Sequence, residues 1–100
     1  MPWFVKLERG RVEKAEFDRH VPAHLDYVRA LGDRGHQPVS GYWAERGGGM
    51  LLFRATDRTE AEGVVRGDPL VVNGCVDWEL HEWVVVAGKG AGMMGENPRQ

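Results

Sequence analysis

The sequence has 100 residues, 42% of them hydrophobic and 28% charged, which suits one folded domain with an ordinary core. Its 13 Lys and Arg residues are interspersed with 15 Asp and Glu residues, and no apolar run approaches the about 20 residues of a membrane span. We therefore predict no nucleic-acid partner and no membrane partner. Cys75 is the only cysteine and the first residues lack a signal-peptide pattern, so we expect a cytoplasmic protein without a disulfide.

The first predicted element is a strand over residues 2–8. Its side chains alternate between two sides, with Trp3, Val5 and Leu7 on one and Phe4, Lys6 and Glu8 on the other. Both sides carry large apolar groups, and the segment is rich in residues that favour strands. The strand is predicted to end at Gly10.

A helix is predicted next, reaching to about residue 34. Apolar residues recur there at spacings of one, three and four, as on one face of a helix. This stripe consists of Phe17, Val21, His24, Leu25, Val28 and Leu31. Because Pro22 lies inside the pattern, we predict that the helix begins only shortly before it, with Asp18 as the N-cap. Gly35 is the expected residue just beyond the helix end.

The middle of the chain predicts a β-hairpin. Its strands cover residues 38–45 and 50–56, and the glycine triplet 47–49 lies in the connection. Since this triplet precedes a strand, a hairpin turn is favoured there over a phosphate-binding loop at a helix start.

The last part of the domain predicts a short helix over residues 58–66 and a strand over 75–86. Thr56 or Asp57 caps the helix, and Gly67-Asp68-Pro69 ends it. We assign one domain to residues 1–87. Residues 88–100 contain several glycines without periodicity, which predicts a disordered tail.

The order of elements is βαββαβ, which predicts an α+β, ferredoxin-like fold with a four-stranded antiparallel sheet and two helices on one face. Four tryptophans are more aromatic surface than two short helices cover. We therefore expect an apolar open face of the sheet and a homodimer in which sheet faces sheet. A monomer whose tryptophans line a ligand cleft is the alternative.

Two motifs in this order resemble those of the YCII-related family over about residues 2–86. The first is Pro22-Ala-His-Leu-Asp-Tyr27 with Leu31 and Gly35; the second runs from Ala61 through Gly67-Asp-Pro-Leu70 to Gly74 and Glu82-Trp83. The resemblance implies a dimeric α+β barrel of ferredoxin-like subunits, with a histidine and an aspartate as the active site. Those two residues correspond here to His24 and Asp68.

The resemblance has one departure that concerns the pocket wall. Many relatives have Gly-Pro where the second strand begins, whereas this chain has Ser40-Gly-Tyr-Trp43. We expect Gly41, Tyr42 and Trp43, together with His20, to line a pocket beside the pair. Because its wall differs, the departure gives no ground for transferring a relative's substrate to this chain. Most members have no assigned reaction, and one relative is a dehydrochlorinase of a chlorinated hydroxyquinol.

An imidazole and a carboxylate suit acid–base catalysis, because the imidazole exchanges a proton near neutral pH and the carboxylate orients the ring. Two alternatives remain open from the residues alone. A histidine on an apolar stripe is often a core residue with one hydrogen bond, and Asp before Pro is common turn chemistry. For Asp68 and His24 the family resemblance favours the catalytic interpretation.

Other candidate sites are less well supported by the sequence. His20 lies four residues before His24, a spacing that permits a metal pair, but no third ligand is indicated, so we predict no metal and no cofactor. Cys75 is interpreted as a small buried residue rather than a nucleophile.

Two hypotheses for the function follow. The first is a small enzyme of the isomerase or lyase type that uses His24 and Asp68 for proton transfer on a small organic acid or aromatic compound. The alternative is a non-catalytic module that binds a small ligand or serves as a dimeric interaction domain.

Overall fold

The computed structural model of the protein describes residues 1–88. Four strands and three helices follow in the order β1 (Trp3–Gly10), α1 (Lys14–Asp33), β2 (Val39–Tyr42), β3 (Gly48–Arg54), α2 (Arg58–Gly67), α3 (Pro69–Val72) and β4 (Val76–Trp83). The strands form one antiparallel sheet in the order β2-β3-β1-β4. The predicted α+β, ferredoxin-like fold is confirmed. None of the helices in this part of the chain combines the length and apolar character that a bilayer crossing needs.

The register of the sheet decides which side chains meet on each face. Lys6 of β1 lies opposite Leu51 of β3 and Leu80 of β4, and Ser40 of β2 lies on the other side of Leu51. Because directly paired residues point to the same face, these four side chains form one row across the sheet. The row lies on the face that also carries the core residue Phe4.

The main core lies between this face and the helices. Phe4 and Phe53 stack with their ring centroids 6.0 Å apart. The buried cluster consists of Phe4, Leu31, Leu51, Phe53, Ala55, Ala61, Val64, Val65 and Leu80. Lys6 is a charged residue among these apolar ones, and it is completely buried.

Helix α1 begins earlier than predicted. It starts at Lys14 after the N-cap Glu13, and Pro22 lies in its interior, so the prediction of Asp18 as the N-cap is wrong. An interior proline removes one backbone hydrogen bond, but here the first turns are held by packing of Phe17 against a second buried cluster. That packing outweighs the local preference for a break.

The end of α1 is as predicted. Gly35 adopts a φ of 86°, and the amide of His36 donates to the carbonyl of Leu31 at 3.0 Å. This is a Schellman motif, in which a residue with positive φ directs the chain back toward the helix. The exposed position of Leu25, however, differs from the predicted stripe.

The second half of the domain contains a helix that was not predicted. Gly67-Asp68-Pro69 ends α2 as expected, but Pro69 is also the first residue of α3. Proline suits this position because the first helical amide has no partner inside the helix. The predicted tail over residues 88–100 lies outside the described residues except for Gly88.

None of the helices within residues 1–88 packs on the second face of the sheet. It carries a shallow hollow of about 320 Å³ lined by Val5, Met50, His81 and Trp83. Trp83 is 46% exposed, whereas Trp3 is buried beneath the guanidinium of Arg54 at 5.2 Å. The predicted apolar character therefore holds for this hollow.

Candidate functional site

His24 lies on the inward side of α1 and makes a different hydrogen bond with each ring nitrogen. Nδ1 is 2.9 Å from Oδ1 and 3.0 Å from Oδ2 of Asp68, and Nε2 is 3.2 Å from Oγ of Ser40. The histidine is 7% exposed and Asp68 is fully buried, whereas Ser40 belongs to an exposed edge strand. The imidazole thus connects a buried carboxylate to a hydroxyl near the surface.

Asp68 is placed by the junction of two helices. It is the C-cap of α2 and the N-cap of α3, and its Oδ1 accepts a hydrogen bond from the amide of Leu70 at 2.9 Å. Aspartate followed by proline is a favourable start for a helix, because the carboxylate binds a free amide while the proline needs none. The turn chemistry and the contact with His24 therefore coexist in one residue.

Tyr27 holds α1 against the end of α2, one turn after His24. Its hydroxyl donates to the carbonyl of Val64 at 2.8 Å, and burial raises the pKa of the phenol. A Cβ atom on Gly67 would lie 2.6 Å from the Tyr27 oxygen. The absence of a side chain at Gly67 leaves room for this contact, which joins α1 to the end of α2 that precedes Asp68.

Lys6 is part of the site and was not predicted as such. Its Nζ lies 2.9 Å from Oδ2 of Asp68 and 3.0 Å from Oε1 of Glu8. Burial raises the pKa of Asp68, but the hydrogen bond from His24 and the charge of Lys6 lower it more, so that it lies below the usual value. The sequence contained a signal for Lys6, because this lysine is predicted on the same side of β1 as Phe4. A lysine buried on that side needs an anion as its partner.

Ser40 is the other residue that sequence reasoning missed, although its neighbours were named. Strand β2 lies so close to β3 at this point that a Cβ atom on Gly49 would be 2.2 Å from the carbonyl oxygen of Gly41. The absence of a side chain at Gly49 lets β2 pair there and keeps Ser40 beside His24. Ser40 is the single serine of the sequence, but no sequence signal linked its hydroxyl to His24.

The remaining predicted pocket residues have different surroundings. His20 is half-buried, and its Nε2 lies 3.1 Å from a carboxylate oxygen of Glu16 on the same helix. Tyr42 is 88% exposed and Trp43 is 41% exposed, and Gly41 is exposed between Ser40 and Tyr42. Gly41 and Tyr42 belong to β2 and Trp43 follows it, whereas the hydrogen bonds to His24 come from Asp68 and Ser40. A pocket lined by the four predicted residues stays a prediction.

The protonation pattern of the pair follows from the charge on Asp68. An ionised carboxylate only accepts, so Nδ1 of His24 is the donor. In the neutral ring Nε2 then carries a lone pair, and the hydroxyl of Ser40 donates to it. Within residues 1–88, no group of three or more His, Cys, Asp or Glu side chains is arranged to hold a metal ion.

The fold is similar to that of a solved enzyme structure. This is 5-chloro-2-hydroxyhydroquinone dehydrochlorinase (TftG) from Burkholderia phenoliruptrix AC1100, in complex with 2,5-dihydroxybenzoquinone. The TM-score is 0.52 at 19% sequence identity, and the match covers 79% of this chain and 92% of that chain. At this identity the likeness establishes the fold.

Two sequence comparisons complete the picture. Among curated proteins, none matches this sequence. The YCII-related domain, in contrast, matches residues 3–84, which contain every strand and helix described above. The chain therefore belongs to the family of proteins with a YCII-related domain.

Proposed function

We propose that the protein is a small acid–base enzyme in which His24 and Asp68 transfer a proton to and from a bound substrate. One observation carries this proposal: the two nitrogens of His24 are divided between a buried carboxylate and the hydroxyl of an exposed strand. A histidine that served only as a core residue would need one partner and no route toward the surface.

The proton transfer follows from the hydrogen bonds. Nε2 of His24 accepts a proton from the substrate, and the adjacent Asp68 carboxylate stabilises the imidazolium that forms. In an isomerase step the imidazolium returns this proton to another atom of the substrate. In a lyase step the electron pair left by the proton forms a double bond, a leaving group such as chloride departs with its own bonding pair, and the imidazolium gives its proton to that leaving group or to water. A positioned general base of this kind contributes roughly 10²- to 10⁴-fold in rate. Nε2 has one lone pair, so the hydroxyl of Ser40 gives up its hydrogen bond to this nitrogen when the substrate takes its place.

The proposed substrate is a small organic acid or hydroxylated aromatic compound. The support is that TftG, which shares the fold, is a dehydrochlorinase of a chlorinated hydroxyhydroquinone and was solved with 2,5-dihydroxybenzoquinone. Both compounds have acidic hydroxyl groups, which suit a site whose working atom is a proton acceptor.

The experiment compares four proteins with these two compounds. Chloride release from 5-chloro-2-hydroxyhydroquinone and binding of 2,5-dihydroxybenzoquinone are measured for the wild type, His24→Ala, Asp68→Asn and Asp57→Asn. Asp57→Asn is the matched control, because Asp57 is an exposed aspartate that caps α2 and asparagine caps a helix equally well. We expect His24→Ala and Asp68→Asn to lose about 10²- to 10⁴-fold in turnover and Asp57→Asn to keep it. Equal turnover by wild type and His24→Ala would remove His24 from the mechanism.

We propose in addition that two copies of the chain pair through the open face of the sheet. The observation in favour is the hollow lined by Val5, Met50 and Trp83, on a face that none of the three described helices covers. Sedimentation equilibrium at micromolar concentration tests this. A single species at the monomer mass of 11.2 kDa would contradict pairing, and this hollow would then be the favoured place for a ligand in a binding module.

A further inference from the structure

Lys6 is the one charged side chain of β1 that is completely buried in the described structure. Its ammonium bridges two carboxylates, with 2.9 Å to Oδ2 of Asp68 and 3.0 Å to Oε1 of Glu8. The side chain of Glu8 is 10% exposed and that of Asp68 is not exposed at all. A buried ammonium is costly unless it is paired and hydrogen-bonded, so this arrangement is a built one.

The charges around His24 are therefore two carboxylates and one ammonium. With a neutral imidazole the group of Glu8, Lys6, Asp68 and His24 has a net charge of −1, and with an imidazolium it is neutral. Removal of the ammonium would leave Glu8 and Asp68 without their shared cation, with the imidazole in contact with Asp68. In that case a proton would be bound more readily by the buried acid.

The other polar groups near the histidine do not change this count at neutral pH. Ser40 is uncharged, and burial raises the pKa of Tyr27, which keeps the phenol neutral. On α1 itself, His20 is paired with Glu16 one turn before His24. The charge of Arg34, at the end of α1, lowers the pKa of Tyr27, but by less than burial raises it.

We propose that Lys6 is a positioning residue of the site: it keeps Asp68 ionised, and thereby keeps the proton of the neutral imidazole on Nδ1 and the lone pair on Nε2. This inference rests on the proposed function, in which Nε2 of His24 is the proton acceptor. Lys6 acts through Asp68 and needs no contact with the substrate.

The alternative state shows why this matters. A protonated Asp68 has a hydroxyl that donates to Nδ1, so Nε2 then carries the ring proton and donates to Ser40. In that tautomer the nitrogen on the substrate side has no lone pair, and it cannot take a proton. The buried cation therefore selects which end of the imidazole is the base.

The test uses NMR on the full chain without a substrate. The pH titration of the Asp68 side-chain carboxyl is followed by ¹³C and the tautomer of His24 by ¹⁵N, in wild type, Lys6→Met and Glu8→Gln. Lys6→Met is expected to raise the pKa of Asp68 by about one to three pH units, because an opposite charge in direct contact is lost. Glu8→Gln removes an anion instead, so it is expected to leave the pKa of Asp68 at or below the wild-type value.

The tautomer is the second readout, and a purely structural lysine would not affect it. We expect Nδ1–H in the wild type and in Glu8→Gln, and a growing share of Nε2–H in Lys6→Met at pH values where its Asp68 is protonated. If Lys6→Met does not fold, the double variant Lys6→Met/Glu8→Gln replaces it, because it leaves a single carboxylate with the imidazole. An unchanged Asp68 titration and an unchanged tautomer in a folded variant without Lys6 would overturn the inference.

This outcome is independent of the proposed function. If His24→Ala lowers turnover but the Asp68 titration does not respond to Lys6, only the role of Lys6 fails. If the titration responds as expected but His24→Ala retains full turnover, the role of the pair in the reaction fails, and the electrostatic coupling remains.

Discussion

We predict that the stability of the protein depends on Asp68 far more than on an ordinary helix cap, and a comparison of two aspartates tests this. Asp57 caps α2 by accepting from the amide of Glu60 at 2.8 Å, in an exposed position. Asp68 caps α3 in the same way, but it also binds Lys6 and His24 while fully buried. Asp57→Ala therefore removes one helix cap. Asp68→Ala removes one helix cap and, in addition, the buried contacts with Lys6 and His24.

The magnitudes follow from these contacts. Loss of the cap in Asp57→Ala costs about 1 kcal/mol of unfolding free energy. Removal of one partner from a buried ion pair costs about 3–5 kcal/mol, but Glu8 remains 3.0 Å from the ammonium of Lys6. We therefore expect Asp68→Ala to be less stable than Asp57→Ala by about 2–4 kcal/mol. Urea denaturation at pH 7 measures this difference, provided that the unfolding free energy of both variants falls with urea concentration at the same slope. An exposed substitution usually changes the unfolding free energy by less than about 0.5 kcal/mol, so a difference below that value would refute the reasoning.

The pH dependence of this difference provides a second check. The pKa of Asp68 lies below its usual value, because the hydrogen bond from His24 and the charge of Lys6 outweigh burial. Its ionisation therefore adds stability above the ordinary carboxyl pKa of about 4, and this contribution is lost as the pH falls through the lower value in the folded protein. The stability difference between the wild type and Asp68→Ala should decrease on going from neutral to acid pH.

Two further predictions concern other parts of the fold. Gly49→Ala places a methyl group against the carbonyl of Gly41, so it should destabilise the protein and displace β2. At Gly63 in α2 an added Cβ meets open space, so Gly63→Ala should stabilise the protein by about 0.5–1 kcal/mol. Thermal unfolding of both variants measures these effects, and equal effects would contradict the prediction. Burial raises the pKa of the Cys75 thiol, so the native protein should react with a disulfide reagent far more slowly than the urea-unfolded chain, and equal rates would show that the thiol is accessible.

Most of the fold could be predicted because its signals are local. The alternation in β1 and the glycine after α1 each depend on a few neighbouring residues, and Gly35 indeed has the positive φ that its position requires. The start of α1 could not be predicted in this way. Phe17 packs against residues from α3 and the start of β4, and such a long-range contact does not show in a local pattern around Pro22.

The candidate site was only partly predictable for a related reason. His24 and Asp68 were named from motifs, and the structure places them in direct contact. Lys6 had a signal in its inward position on β1, but the identity of its anion depends on how the helix junction folds over the sheet. Ser40 was hidden, because only the register of β2 against β3 brings its hydroxyl to the histidine.

The central claim is that a substrate binds at Nε2 of His24 rather than elsewhere on the molecule. A crystal structure of the protein with 2,5-dihydroxybenzoquinone tests it directly, because the hollow on the other face of the sheet is a competing place for a ligand. We predict a ligand oxygen within hydrogen-bond distance, about 3 Å, of His24 Nε2 and close to the Ser40 hydroxyl. A ligand bound only in the hollow lined by Val5, Met50 and Trp83 would contradict the claim.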